Sequence, residues 1–229
     1  MARRTAAEGI GSFFLFACVI GSGVMAQALS GGNDGVALLA NTIATGAILF
    51  VLITMLGPVS GAHFNPAVTL AFALRREMAW LDAGAYVVAQ LAFGIFGAWA
   101  AHLMFDLPIL QFSTKARTGL GQWTAEFVAT FGLVLTILGT ARYKPQAVAA
   151  SVGLYITAAY WFTSSTSFAN PAITVVRGLS NTFAGIAPHD VPMFVVAQFA
   201  GAIAATAIAS TLFGEPFGPS AISPSAPES

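Results

Sequence analysis

Long apolar stretches separated by short polar breaks make up most of the chain, at about 6–29, 34–56, 79–104, 120–140, 146–163 and 190–213. A helix needs roughly 20 apolar residues to cross the hydrocarbon core of a bilayer. The pattern therefore predicts six membrane-spanning helices, the fifth of them short and with an ill-defined start at Pro145. Two further apolar segments, near 65–74 and 170–179, are too short to cross, and each begins with Asn-Pro-Ala. The run Glu215–Ser229 is rich in Pro and Ser and is expected to be disordered. Arg3-Arg4 followed by the apolar run Ile10–Leu29 has the look of a secretory signal. That run is longer than a signal core of about 7–15 residues, so it reads as the first span.

The polar positions inside these stretches repeat. Ala7-Glu8 with Ser12-Phe13 returns as Ala125-Glu126 with Thr130-Phe131. Phe64-Asn65-Pro66-Ala67-Val68-Thr69 returns as Ala169-Asn170-Pro171-Ala172-Ile173-Thr174, and Val87-Val88-Ala89-Gln90 as Val195-Val196-Ala197-Gln198. The order is kept, which defines one repeat over about 5–104 and a second over about 120–213. Each repeat holds three spans, an odd number, so the two halves must be inverted in the membrane. Many channels and transporters are built this way.

Asparagine is a preferred helix N-cap and proline is favoured at the first helical position. Asn65-Pro66 and Asn170-Pro171 therefore each predict a helix start, approached through the polar segments Ser60-Gly61-Ala62-His63 and Ser164-Ser165-Thr166-Ser167. Irregular backbone at membrane depth survives only where protein covers it or water bathes it. Two short helices entering from opposite faces would bring their N-termini together near the midplane. Their partial positive charges would oppose cations and protons, and the two Asn amides would hydrogen-bond a passing oxygen.

Composition agrees with a lipid-embedded chain. It is 57% hydrophobic and 8% charged with a mean hydropathy of +0.79, against about 25% charged residues in soluble domains. The net charge of zero argues against a nucleic-acid partner. The single cysteine, Cys18, excludes an internal disulfide framework. Arg3, Arg4, Arg75, Arg76, Arg142 and Lys144 fall on one side of the six-span arrangement, and Lys115, Arg117 and Arg177 on the other. The richer side is expected to be cytoplasmic, which places both termini inside.

The Ser60–Ala67 segment, the second Asn-Pro-Ala and the paired Ala-Glu segments resemble the aquaporin (major intrinsic protein) family over roughly residues 5–213. The resemblance implies an all-α membrane protein: six transmembrane helices plus two re-entrant half-helices in an inverted 3+3 repeat. It implies one channel domain over 1–213 with 214–229 as a tail, a homotetramer with one pore per subunit, no cofactor and no metal. It makes Asn65, Pro66, Ala67, Asn170, Pro171 and Ala172 the pore midplane, gives the His63 carbonyl to the pore wall, and makes Glu8 and Glu126 buried structural acids. Counting without gaps from the two asparagines puts the family's second constriction at Thr45, Ala158, Ser167 and Ile173. Water-selective members carry an aromatic, a histidine and an arginine at the first, second and fourth of these positions. Here all three are absent, so a wider opening for bulkier neutral solutes is expected. Arg177, one turn beyond Ile173, is expected either to line an outer vestibule or to snorkel to the interface.

The stretch from Asn170 through Ser180 to Ile186 resembles the bacterial aquaporin-like branch associated with arsenic resistance, and implies passage of arsenite, an uncharged trihydroxide at neutral pH. The lone Cys18 suits a conduit, since soft metalloid sites use several thiols. Two other classes are weighed alongside a general glycerol and water channel. An ion-coupled transporter would need intramembrane acids beyond Glu8 and Glu126, and an intramembrane enzyme would need a nucleophile–base pair or a metal-ligand cluster. No catalytic group is found. Gln90 and Gln198 are expected to hydrogen-bond in the core, His102 and His189 to sit at the interface, and Gly11, Gly94, Gly97, Gly201 and Ala205 to pack helices closely.

Overall fold

The computed structural model describes residues 1–214; the run Glu215–Ser229, expected to be disordered, lies outside the described residues. Eight α-helices follow one another: α1 (Ala2–Leu29), α2 (Asp34–Ser60), α3 (Pro66–Leu74), α4 (Trp80–Met104), α5 (Leu120–Tyr143), α6 (Val148–Phe162), α7 (Pro171–Arg177) and α8 (Val191–Phe213). Helices α1, α2, α4, α5 and α8 are long and apolar enough to cross a bilayer. Helix α6 has 15 residues and follows a 3-10 turn at Pro145–Ala147. Together these extend about 28 Å, close to the ~30 Å hydrocarbon core, and make the sixth crossing. Helix α2 runs past the predicted apolar stretch and carries Pro58 in its last turns. It stops at Gly61, whose left-handed backbone (φ 88°) closes the C-terminus.

Lipid inverts the usual sorting of side chains. Leu39, Phe50, Phe96, Leu154, Val196 and Leu212 are exposed, whereas Glu8, Gln90, Glu126 and Gln198 are completely buried. The repeat is visible in the packing: α1 lies against α2 and α4, α5 against α6 and α8, and the halves meet through α2 with α6, α3 with α8, α4 with α7 and the tips of α3 and α7. Glycine makes the crossings close. A Cβ on Gly97 would lie 2.3 Å from Phe13 O, and one on Gly201 2.4 Å from Phe127 O. Where the halves meet, a Cβ on Gly153 would lie 2.7 Å from Gly46 O. Helices in lipid gain their cohesion from such backbone approach.

The start of α1, the 75–79 turn and the ends of α5 and α8 share one end of the bundle, here the terminal end. Segments 105–119 and 178–190 interlock at the other, the loop end, through Ser113 N–H to Gly178 O (3.0 Å) and Ala187 N–H to Lys115 O (2.7 Å). His102 is fully buried there, contrary to the expectation of an interfacial position. Its Nε2 lies 2.9 Å from Ser180 Oγ and its Nδ1 3.2 Å from Ile109 O, which ties α4 to both segments. His189 is exposed beside Asp190, at 3.6 Å.

Candidate functional site

Asn65 and Asn170 each cap a half-helix whose first residue is proline, with nearly equal backbone angles (φ −157° and −156°). The Asn65 Oδ1 accepts from Ala67 N–H (2.9 Å), and Asn170 Oδ1 accepts from Ala172 N–H (3.0 Å) and Ile173 N–H (3.3 Å). Each amide nitrogen then reaches across to the other half: Asn65 Nδ2 donates to Ala169 O (2.7 Å) and Asn170 Nδ2 to Phe64 O (2.8 Å). The half-helix N-termini are thereby locked tip to tip. A primary amide has two N–H donors, so each asparagine keeps one to offer to the cavity that both residues line.

The backbone leading to these caps is left-handed at Gly61, Ala62 and Phe64, and again at Thr166, Ser167 and Ala169. Non-glycine residues in this region cost of order 1–3 kcal/mol each, so something must hold them. Glu8 Oε1 accepts from Ser60 Oγ (2.7 Å) and His63 N–H (2.9 Å), and Oε2 from Phe64 N–H (2.7 Å). Glu126 accepts from Phe168 N–H (2.8 Å) and Ala169 N–H (2.9 Å). Gln90 and Gln198 bridge each carboxylate to Thr69 and Thr174, whose hydroxyls donate to the capping residues' carbonyls. These two threonines were not singled out from sequence, although their place in the repeated Asn-Pro-Ala-x-Thr pattern was a signal.

A cavity of about 1240 Å³ runs from Arg3, Arg4 and Glu77 at the terminal end, past Asn65 and Asn170, to Tyr160 and Arg177. His63 lines it, with Nδ1 3.1 Å from Thr69 Oγ1 and its ring stacked 4.7 Å from that of Phe72. Thr45, Ser167 and Ile173 also line it. Ala158 does not: it is exposed on another face of α6, and Ile156 and Tyr160 stand in that wall instead. The ungapped count fails because it carries no information on helix phase. Val152, Ile156 and Tyr160 recur every fourth residue and form one buried stripe, a signal that could have found Tyr160. Tyr160 puts an aromatic ring in the cavity wall at a position that the count did not reach.

Arg177 is 2% exposed and lines the cavity, so it is no snorkelling side chain. Its guanidinium lies 3.3 Å from the centre of the Phe168 ring, and its Nε donates to Ala184 O. A fixed cation is therefore present, displaced from the expected position 173. Phe168 also carries Arg117 at 5.0 Å, whose Nε donates to Gly185 O (2.8 Å) and Nη1 to Ser165 O (3.1 Å). In the sequence Arg117 counts only among the three basic residues on the less basic side of the spans. Burial lowers its pKa to about 10, opposed by the negative field of Glu126. Nearby Lys115 is pushed down to about 8, first by burial and then by the charges of Arg117 and Arg177.

The sequence profile of the family described as "Major intrinsic protein" matches residues 1–159. Aquaglyceroporin AqpS of Rhizobium meliloti (strain 1021) is 58% identical over 208 residues, 91% of this chain and 89% of that protein. Nodulin-26 of Glycine max is 35% identical over 141 residues, 61% of this chain and 51% of that protein. The X-ray structure of the aquaglyceroporin from Plasmodium falciparum shares the fold, with a TM-score of 0.74 at 18% identity over 92% of this chain and 96% of that one.

Proposed function

The chain belongs to the major intrinsic protein family, and on that premise we propose that it is a passive membrane channel for small neutral solutes. The observation that carries the reading is the crossed pair of asparagine amides midway along a continuous cavity. Two half-helix N-termini direct partial positive charge at that point. Cations and hydronium are opposed there, while a neutral oxygen is met by the spare amide hydrogens.

The cargo we favour is a metalloid hydroxide such as arsenite, with glycerol and water as further permeants. An uncharged trihydroxide matches the hydroxyls of Thr45 and Ser167, and Arg177 provides a fixed positive charge against cations. A general glycerol and water channel is the second reading, favoured by the 58% identity to a protein named as an aquaglyceroporin. Ion coupling has little support: Glu8 and Glu126 are fully committed to backbone and glutamine donors. We further propose that the terminal end is cytoplasmic, in a bacterial inner membrane, and that four copies assemble. Arg3, Arg4, Arg75, Arg76, Arg142 and Lys144 gather toward that end, whereas Arg117 and Arg177 at the loop end are buried within the protein.

Stopped-flow light scattering on proteoliposomes, comparing water, glycerol and arsenite without any ion gradient, tests the function. Flux above empty vesicles with no ion conductance is expected. Flux that needs a proton or sodium gradient would replace the channel with a transporter. Glycerol and water flux without arsenite flux would select the second reading.

A further inference from the structure

We propose that Arg75 and Arg142 form a binding site for the phosphate of an anionic phospholipid, at the terminal end of the bundle. Arg75 caps the C-terminus of α3, and its side chain is only 8% exposed. Its Nε donates to Glu77 Oε1 at 2.8 Å, whereas its Nη1 is buried without a partner in the protein. A charged N–H withdrawn from water and left unmatched is costly, so the site calls for an acceptor. Arg75 and Arg142 line one recess, together with Glu77 and the apolar side chains of Phe72, Leu138 and Phe213. Its volume is about 20 Å³, room for roughly one atom the size of a water oxygen.

Charge and position select the ligand. Two guanidinium groups and one carboxylate line the recess, an excess of one positive charge that a singly charged phosphodiester balances. One phosphate oxygen enters and accepts from Arg75 Nη1, while Arg142, exposed at the rim, meets a second. The planar guanidinium suits that geometry. The recess lies where two spanning helices end, α5 at Tyr143 and α8 at Phe213, whose rings meet edge to face at 6.0 Å. Tyr143 is 66% exposed, and tyrosines so placed mark the headgroup level of a bilayer. Basic pockets between spanning helices at that level hold lipid phosphates. Exposed Ile208 and Leu212, one turn apart on α8, offer the acyl chains an apolar track.

Native mass spectrometry of the full chain in detergent, titrated with dioleoyl phosphatidylglycerol, dioleoyl phosphatidylcholine or sodium phosphate, tests the site. Wild type should hold phosphatidylglycerol roughly fivefold more tightly than phosphatidylcholine, the scale of one interfacial charge. Free phosphate should not displace it. Arg75→Gln should weaken phosphatidylglycerol roughly tenfold, as a charge-assisted hydrogen bond is lost, and Arg142→Gln roughly fivefold. Glu77→Gln removes the competing carboxylate and should tighten binding, which loss of a merely structural ion pair would not do. Arg76→Gln deletes the same charge from an exposed neighbour outside the recess, and should change affinity by less than about twofold. Should Arg75→Gln fail to fold, Arg142→Gln and Glu77→Gln decide the matter. Equal affinity for the two lipids, displacement by free phosphate, weaker binding in Glu77→Gln, or a loss in Arg76→Gln equal to that in Arg142→Gln overturns the site. The measurement reads binding and not flux, so its failure would leave the channel reading standing.

Discussion

Glu8 and Glu126 illustrate how a few buried charges can stabilise an otherwise costly backbone. Each carboxylate takes two peptide N–H groups from a run of left-handed residues. Hydrogen bonds to a charged group contribute roughly 1.5–3 kcal/mol each. In Glu126→Gln an amide hydrogen turns toward donors that need an acceptor, so about 2–4 kcal/mol of stability should be lost. Thermal unfolding of the purified protein in detergent should show a clear fall in Tm, with a comparable fall for Glu8→Gln. An unchanged Tm in both would mean that the approach segments hold themselves. At this scale the sequence was partly legible. The repeated Ala-Glu pair pointed to matched acids, and Asn-Pro-Ala pointed to capped helix starts, because capping chemistry is local. His102 was misjudged, and Ala158 was chosen in place of Tyr160, because such positions depend on which way a helix faces. Gln90, Gly94, Ala98 and His102 fall every fourth residue on one buried face of α4. Read as a stripe, that spacing would have put the histidine inside.

The half-helices α3 and α7 are the elements on which charge exclusion depends. Asn170→Asp would retain the cap oxygens but add a negative charge at the meeting point of two positive helix ends. The donor to Phe64 O would be lost as well. Cation leak into proteoliposomes, read with a potential-sensitive dye, is expected from Asn170→Asp and not from wild type. A tight variant would argue against the midplane barrier. The interlocked loop segments make a different prediction. Lys115 Nζ donates to Phe183 O at 2.8 Å and sits 4.6 Å above the Phe183 ring. Its amine, held at about 8, binds its proton less tightly in the folded chain than in the unfolded one. The resulting penalty is fully present below pH 8 and fades as pH rises toward the ordinary lysine value. Acylation at pH 8, mapped by mass spectrometry, should therefore mark Lys115 well ahead of a fully hydrated lysine. The Tm of wild type should also gain on that of Lys115→Gln between pH 8 and 10. Equal labelling would place the amine in open water. Nothing in the sequence foretold this, since the carbonyl and ring that Lys115 meets belong to Phe183, more than sixty residues away.

For the whole molecule, composition and the inverted repeat announced the architecture before any coordinates. The six crossings and two stubs follow from apolar length and from Asn-Pro starts, which are strong signals in lipid. Only the closeness of the halves was hidden, because Gly46 and Gly153 touch across the centre without any mark in the linear pattern. Reciprocal bonds between Asn65 and Ala169 and between Asn170 and Phe64 join residues more than a hundred positions apart. During biosynthesis the first three spans must therefore wait, with peptide groups at bilayer depth unpaired, until the second set arrives. Unpaired groups there cost several kcal/mol apiece. A fragment ending at residue 104 should be degraded when produced by itself, and should be rescued by a separate fragment beginning near 105, as pulse-chase labelling would reveal. The nascent chain has no stable halfway point: each half is the other's missing hydrogen-bond partner.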